Sequence, residues 1–197
     1  MKIRAKAARG FTLIEMLVVT GIIALISGLV LVNNNRFGGV VLLQNLAYDI
    51  ALSIRQAQIY GISVQRFNTS FGAAYGMHFV PTSGSPTASY QLFADALEPA
   101  DGLYGCPNPG TVNCELVQST TISQGFLIQS LCATPPGQSE TCGLSSLDIT
   151  FQRPEPDAFI RSPSYAGLNE SARIQVASPR GDVKNISIEA NGQISVQ

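Results

Sequence analysis

The run from Phe11 to Val32 holds 22 residues and a single charged side chain, Glu15. As an α-helix rising 1.5 Å per residue it would reach roughly 33 Å, the thickness of a bilayer's hydrocarbon core. A chain of 197 residues has room for one ordinary domain beside such a segment, so the run predicts one membrane span with one attached domain. Lys2, Arg4, Lys6 and Arg9 precede it without an acid among them, and a basic flank of that kind marks the cytoplasmic side. A cleaved secretory signal would carry a shorter apolar stretch and a small-residue cleavage site. Here the run is longer, Glu15 stands in its first turns, and "NNNRFGG" follows. The 45% hydrophobic content therefore overstates the core of the attached domain, since much of it sits in this run.

Glu15 asks for an explanation, because an unpaired carboxylate in lipid is costly. The surrounding residues, "RGFTLIEMLVV", resemble the N-terminal signature of type IV prepilins and of the pseudopilins of type II secretion. Shared with that family are the basic leader ending in Gly10, the Phe11 junction, the carboxylate spacing and the long apolar helix. The resemblance implies a leader over residues 1–10, cleavage after Gly10 by a prepilin peptidase, N-methylation of Phe11, and a transmembrane and filament-core helix over residues 11–32. It implies that Glu15 acts in assembly by meeting the terminal amine of a neighbouring subunit. The partners it implies are the peptidase, other pilin or pseudopilin subunits, and the bacterial cytoplasmic membrane. The chain would cross that membrane once, N-terminus inside and C-terminal domain exported, with the mature form in an extracytoplasmic filament. Loss of residues 1–10 removes four of the twelve basic residues and none of the thirteen acidic ones, leaving a net charge of −5.

Beyond the span, Asn33 to Gly39 is rich in helix-weakening residues and predicts a kink or break. Residues 33–62 are expected to continue the helix into the attached domain. Leu43, Leu46, Ala47, Ile50, Ile54 and Ala57 follow helical spacing, with Gln44, Asp49, Arg55 and Gln56 off that stripe. This predicts an amphipathic helix from Val40 to Tyr60, stopped at Gly61 and packed on the protein's own sheet. Residues 63–197 read as an exported antiparallel β domain, with strand-like runs "SVQRFN", "AYGMHFV", "SYQLFA", "VNCELVQSTTIS", "FLIQSL", "LDITFQ", "RIQVAS", "VKNISIE" and "QISVQ". "PRGD" and "ANGQ" are hairpin signals, so the chain should end in an antiparallel meander. Thr82 to Ser89 and Arg153 to Gly167 are expected to be loops. The fold class is α+β: a long N-terminal helix packed on an antiparallel sheet, which resembles the pilin fold. The "SIRQAQIYGISV" junction and the terminal "SPRGDV" and "NGQISV" most resemble the minor pseudopilins of the H type (GspH/FimT-like).

Cys106, Cys114, Cys132 and Cys142 lie in Pro/Gly/Ser-rich stretches. Their even number in an exported domain predicts two disulfides. Zinc is the rival reading, but gaps of seven and nine residues and the single histidine, His78, do not make its usual ligand pattern. Each of the pairs Cys106–Cys114 and Cys132–Cys142 brackets a short turn-rich loop, which favours that connectivity. His78 is expected to be structural or exposed, and neither a phosphate loop nor a dinucleotide fingerprint occurs. No enzyme activity, catalytic residue, metal or cofactor is therefore expected. Asp95, Glu98 and Asp101 faintly resemble a calcium loop, but their spacing fits a solvated acidic turn better. A DNA-uptake or adhesive pilin and a stand-alone anchored β domain are the alternative functions. Some pilins of this group bind DNA through basic residues near the C-terminus, where this chain has only Arg180 and Lys184 around Asp182. Two cations on an acidic chain neutralise few phosphates, so nucleic-acid binding is not expected.

Overall fold

The computed structural model describes residues 10–63, 65–68, 70–82, 88–97, 100–107 and 114–197, and the side chains of residues 32–37 and 70 are left aside. Residues 1–9 of the expected leader, Glu98, and residues 83–87 of the expected Thr82 to Ser89 loop lie outside the described residues. The chain divides into two units, Met1–Gly39 and Val40–Gln197.

One helix, α1 (Leu13–Ile62), carries the backbone from the first unit into the second. The kink or break expected at Asn33 to Gly39 does not take the form of a break, because the backbone there stays helical. Asn and Gly lower helix propensity without removing a backbone donor, and no proline precedes Pro81. Gly61 does not stop the helix either, since α1 runs on to Ile62. A Cβ at Gly61 would lie 2.2 Å from the carbonyl oxygen of Phe151, so helix and sheet approach closely at this glycine.

Within the second unit the helix is followed by β1 (Arg66–Phe67), β2 (Ser70–Phe71), β3 (Ala74–Phe79), β4 (Ala88–Asp95), β5 (Leu116–Ile122), β6 (Leu127–Thr134) and β7 (Thr141–Cys142). Then come β8 (Leu147–Phe151), β9 (Ala158–Ser162), β10 (Tyr165–Asn169), β11 (Ser171–Ala177), β12 (Val183–Glu189) and β13 (Ile194–Val196). Besides the small β1–β2 pair there is a six-stranded sheet in the order β10-β9-β8-β3-β4-β5, and a five-stranded one in the order β13-β12-β11-β6-β7. Every pairing among them is antiparallel. This is the α+β arrangement that the sequence predicts, and β11, β12 and β13 form the expected terminal meander. The expected loop at Arg153 to Gly167 is a correction: Ala158–Ser162 and Tyr165–Asn169 are strands. "AFIRS" alternates buried and half-buried side chains, a period-2 signal that the proline-rich flanks conceal.

Leu43, Ala47, Ile50, Ile54 and Ala57 are buried and Leu46 is half-buried, so the apolar stripe of α1 faces this domain's own core. That core takes Met77, Phe79, Ile149 and Phe151 from the six-stranded sheet and Leu131, Ile174, Ile186 and Ile188 from the five-stranded one. Polar contacts fix the helix over both. Tyr90 and Ser53 hydroxyls lie 3.2 Å apart, and Gln58 Nε2 donates to the carbonyls of Pro156 at 2.9 Å and Gly192 at 3.2 Å.

Candidate functional site

The N-terminal segment is a helix with an apolar surface all round. Leu13–Leu31 has a mean hydropathy of 2.4 and no buried residue, and it is long and apolar enough to cross a membrane. Thr20 returns its hydroxyl to the carbonyls of Met16 and Leu17, both at 3.0 Å, which satisfies that polar group in apolar surroundings. Gly10 stands before the helix with no other atom near the place of a Cβ, and Phe11 is exposed. Glu15 is exposed in the first turn. Its backbone N–H donates to Thr12 Oγ1 at 3.3 Å. Thr12 is thus the N-cap of α1 and Glu15 the third helical residue, the positions of a capping box. The T-x-x-E spacing of Thr12 and Glu15 is the signal of this cap in the sequence. Glu15 consequently has a local role beside any partner in assembly: a carboxylate in the first turn complements the positive end of the helix dipole.

In the β domain the four cysteines stand as two pairs at disulfide distance, Cys106 with Cys114 and Cys132 with Cys142. Cys132, Cys142 and Glu140 are also the one group of potential metal donors within mutual reach among the described residues, and there the two sulfurs face each other as a bridge.

Within the acidic cluster, Asp101 is exposed as a solvated turn requires, whereas Asp95 is not. Asp95 is only 6% exposed, and its Oδ2 accepts the Gly102 N–H at 2.9 Å. Asp101 accepts the N–H of Leu103 at 2.9 Å, so each carboxylate binds its own backbone. Glu115, also buried, accepts from the amides of Ala96, Leu97 and Gly105 at 3.2, 3.1 and 2.7 Å. Asp148 Oδ1 accepts from the amide of Tyr104 at 3.2 Å and meets His78 Nδ1 at 2.7 Å. The Tyr104 ring lies over His78 at 4.9 Å and near Phe93 at 5.6 Å. Three carboxylates therefore hold the segment between β4 and β5 on the outer face of the six-stranded sheet, and this covering buries Asp148 and Thr150 on strand β8. Asp148 is 70 residues from His78 and Glu115 lies beyond a disulfide loop, so no local pattern announces either partner.

Arg180 and Lys184 flank the β11–β12 turn. Ser178 Oγ organises it by accepting from the amides of Arg180 at 3.3 Å and Asp182 at 3.2 Å, which keeps Asp182 between the two cations.

Residues 5–31 match a family model described as the prokaryotic N-terminal methylation motif. The match takes in Gly10, Phe11, Glu15 and the apolar helix, and ends before the β domain. No curated protein and no solved structure matches the chain.

Proposed function

We propose that this prepilin-like chain is a minor subunit, of the H type, of a type IV-like filament or type II secretion pseudopilus. A prepilin peptidase removes residues 1–10, the new terminus at Phe11 is methylated, and the apolar helix then exchanges lipid for the helices of neighbouring subunits. The observation that carries this reading is the methylation motif on a fully exposed apolar helix, with its one carboxylate in the first turn. A lone carboxylate within the bilayer costs roughly 2.5–3.5 kcal/mol on insertion scales, and an opposite charge offsets part of that. Cleavage supplies such a charge, the amine of Phe11, about one helical turn from Glu15 and equally available on a neighbouring subunit.

The test separates pairing from capping. Glu15→Gln keeps a side chain that suits the third position of a capping box but removes the charge. We expect Glu15→Gln and Glu15→Ala to insert and be cleaved normally, and both to be missing from the sheared-filament fraction. Gly10→Ala should accumulate as precursor. Because nothing surrounds a Cβ at Gly10, that defect would lie in peptidase recognition rather than folding. Wild-type incorporation of Glu15→Gln would reduce the carboxylate to a helix cap. Capture of the mature protein with other pilin-like subunits distinguishes the proposal from a stand-alone anchored domain, which would recover none.

A further inference from the structure

The two disulfides stand in different chemical surroundings. On strand β6, Cys132 is paired in register with Cys142 of β7 on one side and with Arg173 of β11 on the other. Arg173 Nη2 reaches both sulfurs at 3.6 Å. The same guanidinium binds Glu140 through both of its oxygens, at 2.9 Å from Nε and 2.5 Å from Nη2. β7 is the outermost strand of its sheet and Cys142 is exposed, whereas Cys132 is only 2% exposed. In the other bridge Cys114 is buried and Cys106 half-buried.

We propose that Cys132–Cys142 is a thiol-exchange site of the exported domain, whose co-reactant is a dithiol. The attacking thiolate bonds to Cys142 Sγ, which belongs to the exposed residue of this bridge. The S–S bond breaks, and Cys132 leaves as a thiolate beside the Arg173 guanidinium. The second thiol of the reagent then displaces Cys142 from the mixed disulfide. Two electrons pass from the dithiol, which becomes a disulfide, to the bridge, which becomes two thiols. The exposure of Cys142 sets this direction, and the cation, equally near both sulfurs, speeds the step because a better-stabilised thiolate leaves faster. Glu140 works the other way. Its donor oxygen lies within 4.8 Å of both sulfurs, and its ion pair with Arg173 draws off part of the positive charge. That pairing holds the Glu140 carboxyl below its usual range, chiefly through the hydrogen bond from Arg173.

The test uses the full-length protein in detergent at fixed pH. Limiting dithiothreitol followed by alkylation and peptide mapping gives the opening rate of each bridge, and reduced glutathione traps the attacked sulfur as a mixed disulfide for mass spectrometry. Cys132–Cys142 is expected to open first, with glutathione on Cys142. Arg173→Gln should slow opening by about threefold, the change for a thiol shifted by about one pKa unit at a sensitivity near one half. Glu140→Gln should speed it. The direction for Arg173→Gln is diagnostic, since a variant that merely loosened the domain would open faster. Opening of Cys106–Cys114 first or at an equal rate, glutathione on Cys132, or undiminished opening in Arg173→Gln would each overturn the proposal.

Discussion

Burial sets Asp95 against its own charge. Its pKa is pushed up to about 6, first by burial and then by the charges of Glu115 and Asp101, while the Gly102 N–H and Arg161 pull it down. Between about pH 4 and 6 the folded domain therefore keeps a proton that the unfolded chain would release. The stability this contributes is present at low pH and lost as pH rises through the folded pKa. Asp95→Asn retains an acceptor for Gly102 and has no charge to bury. We expect it to raise the thermal midpoint at pH 7.5 relative to the parent, with the advantage shrinking at pH 4.5. Paired melts of the two proteins at both pH values check this, and an equal shift at both would assign the effect to packing instead.

At the scale of elements, α1 comes close to β8 at Gly61. A Cβ at Gly61 would meet the carbonyl oxygen, carbonyl carbon and Cβ of Phe151 at 2.2, 2.7 and 2.9 Å, and backbone cannot rotate out of the way. Gly61→Ala is thus expected to destabilise the domain by about 1–3 kcal/mol, as overpacking does, although alanine is the better helix former. Denaturant unfolding measures it, and a variant as stable as the parent would show that the helix can lift off strand β8 without loss. The terminal hairpins follow local chemistry more closely. Gly192, with φ +80°, sits in the turn before β13, where "ANGQ" announces it, and a Cβ there would come within 2.2 Å of the Pro156 carbonyl oxygen. The turn residue is therefore also a contact residue.

At the scale of the whole molecule, the balance of charge is acidic outside the leader. Loss of residues 1–10 leaves eight basic and thirteen acidic residues. The two cations nearest the C-terminal turn flank an aspartate whose amide is bound to Ser178 Oγ. Binding to a polyanion scales with the number of phosphates neutralised, so a gel shift with the mature protein at physiological salt should show no retardation at micromolar concentration. Sub-micromolar retardation with a steep salt slope would instead support the DNA-uptake reading.

What the amino-acid sequence determined alone is what depends on neighbours along the chain. The apolar length of residues 13–31, the stripe of Leu43, Ala47, Ile50, Ile54 and Ala57, the "PRGD" and "ANGQ" turns and the two short cysteine loops were all legible. Each is fixed by helical period, turn chemistry or loop closure over a few residues. Tertiary structure decided the rest. That the helical backbone passes residues 33–39 without a break, and that Gly61 lies close to Phe151, were not legible, because propensity ranks alternatives without knowing what packs against them. Ala158–Ser162 became a strand when β8 offered it a partner. The pairing of His78 with Asp148, the three amides gathered by Glu115, and the placement of Arg173 against both sulfurs of one bridge all arise from strand register across 18 to 70 residues or from the loop folded over the sheet, and only the assembled sheets bring those groups together.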